Sequence, residues 1–303
     1  MNTEKGKKEL MTRRGTIPFP AYIPVTTFGG KYPLDNLIRP YLPRLASAVM
    51  VSHYYAKQMK KSEIPRIPML VDSGGFASLF SNAKVKNING LGVIELQNDE
   101  SIEFTSPYEV LEFQEEVADV AFTLDFPIPL GTDKKEAHKR FDLTIANAHW
   151  ALDNRRRRDL PLYACVQAWD KESAKECAIA FAKSGFDGIA IGGLVPKVSK
   201  ADLVRDIVES VRGEVADLPL HVFGMGKPET VEILFKMGVD SVDSSAYVKL
   251  AADGRLWADS NCKIESPSTT DRLSLALCNL ANACNKTLPL STRSVAFRTL
   301  CMK

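Results

Sequence analysis

Three aspartates follow short apolar runs of the chain, where their carboxylates could do chemistry. Asp72 lies in VDSGGF, Asp125 in TLDFP and Asp243 in DSVDSS. Displacement at an anomeric carbon needs two carboxylates in one pocket, because one attacks as the nucleophile and the other transfers protons. Glycosyl transfer is therefore the chemistry that these residues suggest, if the fold brings them together.

Glycines and an amide end other apolar runs. Gln167 ends CVQ, and Gly192-Gly193-Leu194 ends AIGGL. Glycines let a ligand approach the main chain closely, and Phe76, directly after the glycines of VDSGGF, could offer a flat face to an aromatic ring. Each feature alone also fits a structural role, such as a strand-ending Asx turn at Asp72 or a satisfied buried amide at Gln167.

Polar residues inside other strand-like runs are expected to be structural. Asp240 precedes Asp243 by three positions. Since side chains alternate along a strand, these two carboxylates should face opposite sides, one toward a pocket and the other toward a structural partner. His53 and His221 are isolated histidines in apolar runs, and we expect them to have structural roles.

Eight strand-like runs alternate with helical patterns, which indicates a (β/α)8 TIM barrel. A doubly wound open sheet is the alternative fold. In a barrel the carboxyl ends of all strands meet at one face, which would collect the aspartates and glycines described above. The runs are 18–28, 46–55, 68–76, 119–126, 162–168, 186–194, 218–226 and 239–247.

Apolar spacing and capping residues predict the helices. Ser106, Pro107 and Glu109 form a capping-box pattern that opens one of them. The predicted spans are 106–117, 134–154, 171–184, 229–237 and 269–285.

One barrel domain over residues 1–303 is the expected organisation, with two additions. Residues 81–105 form an insertion after the third strand, and VIELQNDESIEF within it has the pattern of a hairpin. We expect the insertion at the carboxyl-end face, as a lid or a binding element. Residues 258–303 form a carboxyl-terminal helical extension.

Charge and composition limit the possible partners. With 39 basic and 37 acidic residues the chain has no strong overall field, so a polyanion would need a local basic surface. Arg155–Arg158 are either that surface or a solvated loop, and Lys197 with Lys200 is a weaker candidate. The amino terminus lacks an apolar signal region, and no run reaches the roughly 18 apolar residues that span a bilayer. We therefore expect a cytoplasmic protein without membrane contact.

The six cysteines have no CxxC pair and are expected to be free thiols. Cys262, Cys278 and Cys284 are followed by no histidine, which argues against a zinc site. We expect neither a metal nor another cofactor.

The motifs VDSGGF, CVQ, GFDGIAIGGL, GMGKPE and GVDSVD, in this order, resemble the tRNA-guanine transglycosylase family. The resemblance covers residues 14–257. It implies a TIM barrel that replaces guanine in a polynucleotide by a 7-deazaguanine base through a covalent enzyme–nucleic acid intermediate. A homodimer or a partner subunit is a further expectation.

The resemblance also implies a role for each residue. Asp243 would attack the ribosyl C1′, Asp72 would be the general acid and base, and Asp125 would read the guanine edge. Phe76 and Phe223 would sandwich the base. The remaining implied contacts are Gln167, Ser73, Gly193 and Leu194 for the base, and Arg155, Arg156, Lys197 and Arg255 for the nucleic acid.

Departures from the family pattern bear on the substrate. The family's CxCxxC zinc cluster is absent, SSAYVKLAADGR replaces the PTR segment after the nucleophile, and VPKV stands where a glutamate is expected after IGGL. Relatives that insert 7-deazaguanines into DNA (the DpdA group) are similar in this respect. We therefore expect DNA as the polymer and a preQ0-like incoming base. The alternatives are tRNA as the polymer, a non-catalytic partner subunit, and a barrel glycosidase acting on free nucleosides.

Overall fold

The computed structural model describes residues 8–27, 32–57, 59–197 and 199–286. Within these ranges the chain forms thirteen β-strands. In chain order they are β1 (Glu9–Thr12), β2 (Gly15–Pro18), β3 (Ala21–Pro24), β4 (Val49–Ser52), β5 (Met69–Asp72), β6 (Ala83–Ile88), β7 (Leu91–Gln97), β8 (Ile102–Thr105), β9 (Val120–Phe122), β10 (Leu162–Val166), β11 (Gly188–Ile191), β12 (Leu220–Val222) and β13 (Ser241–Ser244).

Ten α-helices and several short 3₁₀ segments connect the strands in the same ranges. The helices are α1 (Pro33–Ile38), α2 (Leu42–Leu45), α3 (His53–Ala56), α4 (Pro107–Val117), α5 (Lys134–Asn154), α6 (Lys171–Ala182), α7 (Ala201–Glu214), α8 (Pro228–Lys236), α9 (Ala246–Ala252) and α10 (Thr269–Ala283). Two 3₁₀ segments, Gly75–Leu79 and Val195–Lys197, border the site described below.

Eight parallel strands form a nearly closed barrel in the order β3-β13-β12-β11-β10-β9-β5-β4. An isolated parallel bridge between Val25 and Met50 lies between the two end strands and brings them together. Helices flank the sheet on its outer side. The predicted TIM barrel is confirmed, and the open doubly wound sheet is wrong.

Strand residues alternate between the barrel interior and the layer beneath the helices, as the two-residue period of a strand requires. On β4, Met50 belongs to the interior cluster, whereas Val49 and Val51 belong to the outer apolar layer. The antiparallel hairpin β1–β2 closes the amino-terminal end, where Leu10 and Ile17 join the interior cluster.

Most predicted helices form with nearly the predicted bounds. Helix α5 spans residues 134–154 as predicted, and Asp133 caps it by accepting hydrogen bonds from two main-chain N–H groups. Helix α4 has the predicted capping box between Ser106 and Glu109. Helix α7 is not among the predicted helices, although its buried residues have the spacing of an amphipathic helix. These residues are Val204, Ile207, Val208 and Val211.

The insertion forms a three-stranded antiparallel sheet, β6-β7-β8. The predicted hairpin is β7–β8, and β6 is an additional strand. Asn89 and Gly90, both at positive φ, make the tight turn between β6 and β7, which is the usual pairing for a two-residue hairpin loop. The buried face of this sheet packs with Phe126 and with Leu143 of α5. Moving the sheet as a lid would expose that apolar face.

The insertion is also bonded to the barrel through Asn147 of α5. Its amide donates to the carbonyls of Gly92 and Leu124, and its carbonyl accepts from the Gly92 N–H. A side chain at Gly92 would lie 2.2 Å from Phe126. The insertion, α5 and the segment after β9 are therefore packed as one unit.

Helix α10 packs on α9 and α1, as expected for a helical extension. The buried Asn279 accepts from the Trp257 N–H and donates to the main-chain carbonyls of Tyr247 and Arg255. The predicted extension beyond residue 286 lies outside the described residues. Among the helices that the structure describes, none is both long enough and apolar enough to cross a membrane.

Candidate active site

Strand alternation explains why three of the predicted site residues face one cleft. Asp72 lies two positions beyond the interior residue Leu70, and Gln167 lies two positions beyond the interior residue Cys165. Asp243 has the same orientation on β13, because its neighbour Val242 belongs to the outer layer. At the carboxyl ends of the strands the interior positions open into a cleft instead of a packed core.

The cleft encloses about 160 Å³ at the carboxyl-end face of the barrel. All three aspartates line it, together with the predicted base contacts Phe76, Gln167, Gly193 and Phe223, whereas Ser73 and Leu194 lie behind its wall. A second cavity of about 400 Å³ shares Phe76 with it and is lined partly by Tyr32, Tyr55 and Lys249. The residues around the cleft are Asp72, Phe76, Leu79, Asp125, Pro127, Pro129, Gln167, Gly192, Gly193, Val195, Pro196, Phe223, Gly224 and Asp243.

Asp125 is held in place by two side chains from neighbouring strands. Ser73 donates its hydroxyl to Oδ1 at 2.8 Å, and the Gln167 amide donates to Oδ2 at 2.5 Å. Burial raises the pKa of Asp125, and these two hydrogen bonds oppose that rise. The Oε1 atom of Gln167 is buried and has no hydrogen-bond partner. An unpartnered buried oxygen beside a cleft is available to a ligand donor.

Glycines are required where the main chain passes these side chains. A β-carbon at Gly75 would lie 2.1 Å from the Asp125 carbonyl oxygen. One at Gly192 would lie 2.1 Å from Nε2 of Gln167. Both distances are far below van der Waals contact, so the glycines let the strand ends close around the Asp125 carboxylate.

Asp243 is oriented by a histidine and a main-chain N–H. Its Oδ1 lies 3.1 Å from Nε2 of His221 and accepts from the Gly224 N–H at 3.0 Å. Nδ1 of His221 lies 2.8 Å from the Ser241 hydroxyl. One neutral tautomer, with the proton on Nε2, satisfies both imidazole contacts. The other carboxylate oxygen, Oδ2, is thereby left for a ligand.

Asp72 has an environment suited to proton transfer near neutral pH. Burial raises its pKa to about 7, and the nearby carboxylates of Asp125 and Asp243 add to the rise. Hydrogen bonds from Gly74 and Ser52 oppose it. A carboxyl group with such a pKa can both donate and accept a proton at neutral pH.

The predicted aromatic and main-chain contacts also reach the cleft. Phe76 projects from the 3₁₀ segment with 60% of its surface exposed, and Phe223 lies on the opposite side of the barrel mouth, after β12. Gly193 lines the cleft with its main chain. The Leu194 side chain is buried in the outer apolar layer, so only its main chain is available.

The arginines predicted to contact nucleic acid lie elsewhere. Arg155 is buried and bonded to Asp187, and Arg156 pairs with Glu115 at 2.9 Å. Both follow the carboxyl end of α5 and precede β10, which places them at the amino-terminal face of the barrel, opposite the cleft. Arg155 and Arg156 therefore do not line the cleft, and their contact with nucleic acid stays a prediction.

The two other predicted nucleic-acid contacts are also engaged within the protein. Lys197 is fully buried and donates to two main-chain carbonyls, so it is not a surface cation. Arg255 is half-exposed, donates to Asp253 at 2.5 Å and to the Ser260 carbonyl at 2.7 Å, and lines neither cavity.

His221 is the site residue that the sequence reasoning assigned to structure alone. No local sequence pattern marks this role, because the contact comes from strand register: His221 pairs with Ser241 on the adjacent strand and so faces the interior near Asp243. Asp240 behaves as predicted for the opposite side, since it accepts from Arg212 and from the Leu220 N–H.

We also searched the described part of the chain for metal-binding clusters and reactive thiols. No group of three or more His, Cys, Asp or Glu side chains is arranged there to hold a metal ion. Cys165 and Cys177 are free and buried, and burial raises the pKa of both thiols.

A parallel barrel with an acidic, glycine-lined cleft at the carboxyl ends of its strands is the architecture of a (β/α)8-barrel enzyme. Comparison with known proteins narrows this class. The model of the family described as queuine tRNA-ribosyltransferase matches residues 7–290, and the chain belongs to this family. It is therefore a pentosyltransferase of the guanine transglycosylase type.

The sequence similarity to individual members of this family covers most of the chain. A queuine tRNA-ribosyltransferase of Shewanella denitrificans is 30% identical over 281 residues, which cover 85% of this chain and 73% of the relative. One from Shewanella baltica is 29% identical over 269 residues, covering 82% and 70%. One from Saccharophagus degradans is 28% identical over 268 residues, covering 82% and 70%.

Proposed function

We propose that this enzyme replaces guanine in a nucleic acid by a free 7-deazaguanine base through a covalent aspartyl intermediate. The observation that carries the proposal is the set of three aspartates around one cleft, each in a different state of hydrogen bonding. Asp243 has one free oxygen, Asp72 has a pKa of about 7, and Asp125 is fixed by two donors.

In the first step Oδ2 of Asp243 attacks C1′ of the target nucleoside. A C1′–O bond forms while the bond between C1′ and the guanine nitrogen breaks, and Asp72 gives its proton to the departing purine. The hydrogen bonds from His221 and Gly224 to Oδ1 hold the attacking carboxylate in one orientation. Orientation of a reacting group is a large part of catalytic rate enhancement.

In the second step the incoming base reverses the displacement. Its ring nitrogen attacks C1′, the bond to Asp243 breaks, and Asp72 accepts the proton that this nitrogen loses. One carboxyl group therefore acts as acid and then as base, which requires a pKa near the working pH. The value of about 7 for Asp72 meets this requirement.

Base recognition follows from the donors and acceptors around the cleft. The Asp125 carboxylate can accept from the N1–H and the 2-amino group of a guanine-like ring, and the Gln167 amide can donate to its 6-oxygen. Phe76 and Phe223 offer faces for stacking. A nucleotide must leave its base stack before C1′ reaches such a cleft.

For the polymer, we propose tRNA ahead of DNA. The three relatives described above are named for a tRNA substrate, which favours the tRNA alternative over the DNA expected from the sequence. DNA stays the second candidate because the segment after Asp243 departs from the family's PTR pattern. In this chain that segment forms α9, with Tyr247 buried and its hydroxyl bonded to the Val25 carbonyl.

Exchange of labelled guanine distinguishes these substrates. The full chain is incubated with tRNA, single-stranded DNA, duplex DNA or free nucleosides, and incorporation is measured for each. We expect incorporation into tRNA. Incorporation only into DNA would transfer the proposal to the second candidate, and turnover of free nucleosides alone would favour a nucleoside glycosidase. No exchange in any arm would refute the proposed activity.

The nucleophile is tested separately by trapping the covalent intermediate on a denaturing gel. The adduct formed by the wild-type chain should disappear in Asp243→Asn and persist in Asp240→Asn, because Asp240 faces Arg212 outside the cleft. An adduct that survives in Asp243→Asn would show that another residue attacks. Activity that appears only with a second protein would support the partner-subunit alternative.

A further inference from the structure

Lys197 is a buried cation beside the cleft that the proposed mechanism does not use. It ends the 3₁₀ segment Val195–Lys197, and its side chain is fully buried. No carboxylate of the described residues lies within ion-pair distance of its ammonium group. Desolvation accordingly lowers the pKa of Lys197 to about 8. Burial of a charge without an ionic partner destabilises the fold, so this ammonium group is expected to have a function that offsets the cost.

The ammonium group connects two walls of the cleft. Nζ donates to the Gly193 carbonyl at 2.7 Å and to the Ile128 carbonyl at 2.7 Å. Gly193 lines the cleft itself, and Ile128 lies between the lining residues Pro127 and Pro129. Lys197 therefore occupies a main-chain acceptor at the cleft wall and places a positive charge directly behind it.

The order of strands around the barrel indicates which part of a bound base faces this wall. Proceeding from β13 the sheet runs β12, β11, β10, β9, β5. Asp243 lies on β13, Gly193 follows β11, Gln167 follows β10, Asp125 follows β9 and Asp72 ends β5. Around a guanine ring the corresponding order is the glycosidic nitrogen, position 7, the 6-oxygen, the N1 and 2-amino edge, and N3.

The correspondence between strand order and ring order rests on the proposed function, in which Gln167 contacts the 6-oxygen and Asp125 contacts the N1 and 2-amino edge. With the 6-oxygen at Gln167 and the N1 edge at Asp125, position 7 lies on the β11 side of the ring. A substituent at position 7 therefore points toward Gly193, Val195 and Pro196, in front of the Lys197 ammonium group.

We propose that Lys197 selects the incoming base by charge. Its ammonium group already donates to the Gly193 carbonyl, which weakens this acceptor for a second ammonium group, and its positive charge repels a cationic substituent. Lys197 thus admits 7-deazaguanines with a neutral substituent and excludes those with a cationic substituent. Because specificity is a difference of affinities, an unfavourable contact with the wrong base is sufficient for this selection.

Calorimetric binding of free bases to the full chain tests the selection without any nucleic acid. The probes are guanine, 7-cyano-7-deazaguanine and 7-aminomethyl-7-deazaguanine, which is a cation near neutral pH. We expect the wild-type chain to bind the cyano base about tenfold or more tighter than the aminomethyl base. In Lys197→Met this ratio should fall by about tenfold, because the charge is removed and the Gly193 carbonyl is released.

Lys200→Met is the matched control, since Lys200 is exposed in the same segment and should leave the ratio unchanged. If Lys197→Met does not fold, Lys197→Gln removes the charge and keeps a donor. The wild-type ratio is informative by itself. Equal binding of the two bases to the wild-type chain, or an unchanged ratio in the Lys197 variants, overturns the inference alone. Failure of all three bases to bind overturns the proposed function as well.

Discussion

Replacing Asp72 by asparagine should stabilise the fold and abolish exchange, because the features that suit this carboxyl to proton transfer destabilise its ionised form. Burial and the carboxylates of Asp125 and Asp243 raise its pKa from 3.8 to about 7. Between those values the folded protein keeps a proton that the unfolded chain has released. Stability contributed by this proton is present at low pH and is lost as pH rises through about 7.

The size of the effect follows from the shift. About three pKa units at 1.36 kcal/mol each correspond to ~4 kcal/mol at full ionisation. Between about pH 5 and about pH 8 the change amounts to ~2.5 kcal/mol, since part of the titration lies below pH 5. Asparagine is close in shape to the protonated acid and has no charge to lose. The stability advantage of Asp72→Asn over the wild type should therefore grow by ~2.5 kcal/mol across this interval.

Urea unfolding of both proteins at the two pH values measures this difference directly. Other titrating groups change both proteins alike and cancel in the comparison. Asp217→Asn is the control, because Asp217 is exposed and remote from the cleft residues. If the advantage of Asp72→Asn is the same at both pH values, the raised pKa of Asp72 and the proton-transfer role built on it are refuted.

Two further substitutions test how the site is held. His221→Phe keeps the ring packing against Phe223 but removes a donor to the Asp243 carboxylate, worth ~1.5–3 kcal/mol, so kcat should fall ~10- to 100-fold with KM nearly unchanged. Steady-state kinetics check this, and an unchanged kcat would contradict the positioning role. Gly192→Ala should raise KM for the free base about tenfold or more, because the added carbon meets Nε2 of Gln167 at 2.1 Å. Gly213→Ala, where nothing lies within 4 Å of the added carbon, should keep the wild-type KM, and an equal rise in both variants would exclude the steric explanation.

Features that depend on local periodicity could be predicted from the sequence. The eight apolar runs with turn residues at their ends correspond to the eight strands of the barrel, and strand parity separated Asp243 from Asp240 correctly. The capping box at Ser106 marked the start of α4. These patterns are local, because each depends on residues a few positions apart.

Features that depend on distant partners could not be predicted in this way. The arginine run after α5 has the composition of a nucleic-acid contact, yet Arg156 is bound by Glu115, 41 positions away. Lys197 is enclosed by the Ile128 carbonyl, 69 positions away. His221 acquires its contact with Asp243 only through the pairing of β12 with β13.

The contact between the insertion and the segment after β9 limits how this protein can be recombined with its relatives. Gly92 lies against Phe126, which directly follows Asp125, and Asn147 joins Gly92 to the Leu124 carbonyl. A chimera that exchanges residues 81–105 alone would leave these partners mismatched next to the Asp125 carboxylate. An exchange of the insertion therefore has to include at least Phe126 and Asn147, because both contact Gly92 and both lie next to the segment that carries Asp125.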